Sequence, residues 1–132
     1  MGTNYYLHKK HDTCPTCGHR DEPRHIGNSS TGWCFSLVCD AIGGPSTLAD
    51  WIDAWSSPAV EIRDEYGQTV TPTAMLSEVT ERSAKNPPDW SPADYARNDA
   101  VPGPNNLIRH LIDSHCIAHG DGTYDLCCPG FC

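Results

Sequence analysis

Cys14-Pro15-Thr16-Cys17-Gly18 constrains this chain more than any other stretch, because two thiolates two residues apart on a tight turn can close on one metal ion. Pro15 fixes the backbone after the first cysteine, and Gly18 permits the left-handed turn that brings backbone amides toward the sulfurs. His25 is the third expected ligand, with Cys39 as the fourth and Cys34 or His8 as alternatives for that place. A closed set of four such donors holds zinc as a structural ion and leaves no position for catalysis. The competing reading is a redox-active pair. A thioredoxin-like motif needs a helix leaving from the first cysteine, whereas His19-Arg20-Asp21-Glu22-Pro23 reads as loop.

A metal matters here because the apolar core is thin. Leu, Ile, Val and Phe number 21 of 132 residues, a share that resembles disordered chains more than globular ones. A bound ion, four Trp and five Tyr offset that shortage. The expectation is therefore a single α+β domain over 1–132, small and stabilised by one zinc ion, with short antiparallel strands and hairpins and two helices.

Three parts are expected along the chain: a zinc-knuckle body over 1–84, a Pro-rich linker over 85–106 and a His/Cys hairpin over 107–132. In the body, Asn4 to His8 is strand-like, and Arg24-His25-Ile26 and Trp33 to Val38 flank the turn-forming run 27–32. Thr47 with Asp50 makes a variant capping box, and Leu48, Trp51, Ile52 and Trp55 fall at helical spacing. Ala59 to Arg63 reads as a strand ending at the turn Asp64 to Gly67. Thr71 and Pro72 cap and open a second helix with Met75, Leu76 and Val79 inward. Five Pro between Lys85 and Asn106 argue against any regular element there. A last hairpin is expected from His115 to His119 and Thr123 to Cys127 around Gly120-Asp121-Gly122.

That hairpin carries a second cluster of donors. His115, Cys116, His119 and Cys127 are candidates for another metal site, although their spacing matches no known motif. Strict alternation would put His115 and His119 on one face with Ile117, and Thr123, Asp125 and Cys127 together on the partner strand. Adjacent Cys127 and Cys128 raise a vicinal disulfide as another option. A hydrolytic centre drawn from His110, His115, His119, Asp113, Asp121 and Asp125 is a further alternative. No phosphate loop, nucleophile elbow or dinucleotide fingerprint accompanies it, so no catalytic residue is assigned.

The formal net charge of −8 disfavours nonspecific binding to nucleic acid. Lys9, Lys10, Arg20 and Arg24 nonetheless cluster around the knuckle, which keeps a zinc-knuckle nucleic-acid binder as an alternative. The polar start, with no apolar run of export-signal or membrane-span length, points to a reducing cytoplasm, where cysteines bind metals more often than they pair.

Several strings resemble a family of small bacteriophage zinc-knuckle proteins: Met1 to Tyr6, the knuckle, His25-Ile26-Gly27, Ser29-Ser30, Gly32 to Leu37 and Asp64 to Gly67. Arg109-His110, His115 to Gly120 and Gly122 to Leu126 resemble its longer members. Similar proteins carry a His where this chain has Val38, and an apolar final strand where it has Cys127 and Cys128. The resemblance implies phage origin and a zinc knuckle but no activity. It leads to the expectation of an interaction module that modulates or inhibits a host or phage macromolecule, most simply a protein, in the host cell cytoplasm.

Overall fold

The computed structural model describes residues 2–10, 23–39, 44–113, 116–120 and 122–128. The Cys14 and Cys17 knuckle, Arg20 and His115 lie outside these residues. The fold is α+β, as the sequence implied, and the described residues form nine strands and three helices.

Seven strands make one sheet in the order β5-β4-β1-β2-β3-β9-β8. Its members are β1 (Gly2–Lys9), β2 (Arg24–Ser30), β3 (Phe35–Val38), β4 (Val60–Asp64), β5 (Thr69–Val70), β8 (Cys116–His119) and β9 (Tyr124–Cys127). Pairing is antiparallel except between β3 and β9, which run parallel with Ser36 opposite Asp125 and Val38 opposite Cys127. That one parallel pair is what joins the C-terminal hairpin to the N-terminal body. β3 is consequently central and buried on both faces, so its four residues Phe35 to Val38 and the flanking Cys34 and Cys39 are all buried instead of alternating in and out.

On one face of the sheet lie α1 (Leu48–Trp55) and α2 (Pro72–Thr80). Thr47 caps α1 by accepting from the Asp50 N–H at 3.1 Å, and Thr71 caps α2 by accepting from Ala74 at the same distance. Trp51, Trp55, Met75 and Val79 turn inward onto Ile26, Phe35, Leu37 and Ile62. Trp51 is also fastened by its indole N–H, which donates to the Val38 carbonyl at 2.7 Å. Gly27 is required beneath this packing, because a Cβ there would fall 2.1 Å from the Ser36 carbonyl oxygen and 2.5 Å from the Phe35 ring.

The other face is covered by the stretch that reads as linker. Segment 85–106 holds α3 (Pro92–Arg97) and β6 (Ala100–Pro102), the latter paired with β7 (Ile108–His110) in a small second sheet. The proline count misled because Pro92 occupies the first turn of a helix, where its missing N–H costs nothing, and Ser91 and Asp94 form a reciprocal capping box. Trp90 packs edge-on to both Trp33 and Tyr95, and Trp33 lies 4.8 Å from the His110 ring. Asn105 and Asn106 donate to the carbonyls of Arg82 and Ala84. Five prolines thus sit in a segment tied down by rings and side-chain amides.

Candidate metal centre

The C-terminal donors meet because β8 contains a bulge. Cys116 pairs with Cys127, yet Ala118 pairs with Leu126 and His119 with Asp125, so Ile117 is an extra residue with no partner of its own. Without it, Cys116 and His119 would point to opposite faces, as residues three apart on a strand do. With it, the ligand atoms of Cys116, His119 and Asp125 all lie within 4.8 Å of one another. Cys116, Asp125 and Cys127 are each 0% exposed, whereas Ile117 is 47% exposed. Simple alternation, which grouped His119 with His115 and Ile117, therefore fails at this bulge.

The surroundings fix each donor. Asp125 accepts from Arg109 Nε at 2.8 Å through Oδ1 and from the His110 N–H at 3.0 Å through Oδ2. Arg109 Nη2 also donates to the Tyr124 carbonyl. His119 Nε2 donates to the His110 carbonyl at 2.6 Å, which leaves Nδ1 as the nitrogen able to ligate, the arrangement a second-layer carbonyl gives a metal-binding imidazole. Cys116 hydrogen-bonds Cys127, and that contact, followed by burial, pushes its thiol far above the usual cysteine range. The Cys116 sulfur is thus protonated before metal arrives, and binding must release that proton.

One sulfur, one imidazole nitrogen and one carboxylate oxygen converge, with the Cys127 thiol hydrogen-bonded to Cys116 beside them, a donor set suited to zinc. Asp125 keeps unused lone pairs on both oxygens, since each accepts only one of these hydrogen bonds. Asp125 and Arg109 are the members that spacing did not single out together. The available signal was that Cys116 and His119 can share a strand face only across a bulge.

The N-terminal candidates are placed differently. His25 Nε2 donates to Asn4 Oδ1 at 3.0 Å and to the Gly27 carbonyl at 3.1 Å, so its Nδ1 carries the lone pair. Burial lowers its pKa and favours the neutral ring that a metal needs. His25 stacks on Tyr6, and His8 meets the same ring edge-on, so both histidines flank one tyrosine. The Cys39 thiol donates to the Ser46 carbonyl at 3.2 Å. Cys34 sits at the far end of β3, beside Gly103, where burial pushes its thiol up to about 11. Among the described residues, no group of three close donors includes His8, His25, Cys34 or Cys39.

Of the basic residues, Lys9 and Arg24 line one groove of about 840 Å³, together with Asp50 and Asp53. Lys10 donates its backbone N–H to Ala59 at the mouth of β4. The two carboxylates offset the positive charge of the groove. No helix among the described residues is long and apolar enough to cross a membrane. No protein-family model matches the chain, and neither does any curated protein or any solved structure.

Proposed function

We propose that this chain is a zinc-holding interaction module whose C-terminal ion is structural, bound by Cys116, Cys127, His119 and Asp125. The observation that carries the reading is the convergence of Cys116, His119 and Asp125 within 4.8 Å at a bulge that leaves Ile117 in water. An ion there would cross-link β8 to β9 beside the Arg109–Asp125 contact with β7, giving a thin core a second fixed point. This site is additional to the Cys14, Cys17 and His25 knuckle expected from the sequence.

The partner is proposed to be a host or phage protein met in the host cytoplasm. Support comes from the resemblance to small bacteriophage zinc-knuckle proteins and from exposed Leu111, Ile112 and Ile117 beside the metal cluster. The nucleic-acid alternative has less support, because Asp50 and Asp53 share the groove of Lys9 and Arg24. The hydrolase alternative has less support, because Asp125, one of the three converging donors, is already held by Arg109.

The test is zinc content per chain in protein purified without added metal, for wild type, His119→Ala and the Cys14→Ala, Cys17→Ala double variant. The expected result is one ion fewer in His119→Ala with the fold retained by circular dichroism, and an ion surviving in the double variant. An unchanged zinc count in His119→Ala overturns the C-terminal site.

A further inference from the structure

We propose that Cys116 and Cys127 form a reversible cross-strand disulfide, and that this bond and the C-terminal metal exclude one another, so that the site is gated by redox state. The bond follows from the strand pairing alone. The exclusion rests on the metal reading above.

Cys116 and Cys127 are directly opposed partners in an antiparallel pair. Such partners lie roughly 4.5–5.5 Å apart at Cα and send their side chains to the same face. A disulfide spans that separation without moving the backbone. The thiols already touch through a hydrogen bond, and both residues are fully buried. Cys128 is the poorer partner, because neighbours on an extended strand point to opposite faces and Cys127 shares the Asp125 side.

The oxidant is a low-molecular-weight disulfide such as oxidised glutathione. One protein thiolate attacks it, forming a mixed disulfide and releasing one small thiol; the second protein thiolate displaces the other. In sum, two cysteine thiols lose two electrons and two protons, and the small disulfide becomes two thiols. Access comes from the position of β8 at the edge of the sheet, where local opening is easiest and where exposed Ile117 marks the solvent side. In the closed state, full burial keeps both thiols out of reach of the oxidant.

A metal in this cluster requires the Cys116 sulfur as a thiolate, and a disulfide does not supply it. Oxidation leaves only His119 and Asp125, the latter already engaged by Arg109. Conversely, an ion bound to Cys116 holds that sulfur away from the oxidant.

The experiment uses the full chain, reduced and stripped of metal, then exposed to oxidised glutathione with or without zinc. Remaining thiols are alkylated and the links mapped by mass spectrometry. The expected result is a Cys116–Cys127 link in the stripped protein, formed about tenfold more slowly with free zinc at about ten times its dissociation constant. Oxidised protein should take up one zinc fewer, and a thiol reductant should restore it. Absence of the link, or pairing of either sulfur with Cys34 or Cys128 instead, overturns the disulfide. A link formed at the same rate with and without zinc overturns the gating, and the zinc count of reduced His119→Ala protein then separates the causes. A count one below wild type leaves the metal site standing and sinks only its gating; an unchanged count sinks the metal site itself.

Discussion

The sheet contains two bulges, one in β2 at Ile26 and one in β8 at Ile117, and they carry opposite cargo. At the first, Tyr5 pairs with Gly27 and Tyr6 with His25, so Ile26 is the extra residue and is 0% exposed in the core. The histidine beside it is left on the other face, between Tyr6 and Asn4. At the second, the extra isoleucine is in water and the cysteine beside it is buried with Asp125. The same backbone irregularity thus serves packing in one place and gathers donors in the other. In a chain with so few aliphatic residues, leaving an isoleucine half in water forgoes part of the roughly 1.5–3 kcal/mol that its burial would contribute.

The comparison is tested most severely at Arg109. Its guanidinium faces Asp125 in the interior, so Arg109→Ala leaves a buried carboxylate without its counter-charge and should cost about 3–5 kcal/mol in denaturant unfolding. Asn4→Ala, which removes one acceptor from His25 at the other bulge, should cost only about 1 kcal/mol. Equal costs would mean that the two bulges do not differ in the way described. Replacing Arg109 and Asp125 together by Met and Leu should recover much of the loss while abolishing any zinc uptake at the proposed C-terminal site.

The isoleucines give the next largest contrast. Ile26→Ala empties a fully packed site and should destabilise by about 2–5 kcal/mol, whereas Ile117→Ala should change stability by less than about 0.5 kcal/mol. The measurement is the midpoint of chemical unfolding for the two variants side by side. A large loss at Ile117 would show that it packs as core does, and the argument from its exposure would fail.

How far these features could be read from the sequence depends on their range along the chain. α1 and α2 were legible because Thr47, Asp50, Thr71 and Pro72 act within one turn of themselves, and the spacing of Trp51, Trp55, Met75 and Val79 repeats locally. The C-terminal hairpin was legible from its glycine turn for the same reason. α3 was masked by counting prolines without asking where in a turn each falls; the Ser91 and Asp94 box was the better signal. The parallel pairing of β3 with β9 had no local signature, since it joins residues nearly ninety positions apart. Cys116 and His119 were recognisable as donors by type. Their union with Asp125 was not, because a bulge shifts the phase that alternation assumes.

The smallest effect concerns the histidine at the first bulge. Burial holds the His25 pKa below its ordinary value, so in acid the unfolded chain binds a proton that the folded chain refuses. The sign follows directly: the contribution to stability is complete above the unfolded pKa of about 6.5 and is lost as pH falls through the lower folded value. His25→Gln keeps an N–H for Asn4 and the Gly27 carbonyl but cannot titrate, so its unfolding free energy, measured in chelator to exclude metal, should fall less steeply on acidification than that of wild type. His110, also lowered by burial, remains in the variant and should preserve part of the slope. Identical acid limbs in the two proteins would show that His25 titrates alike folded and unfolded, and that its ring is not held neutral at the bulge.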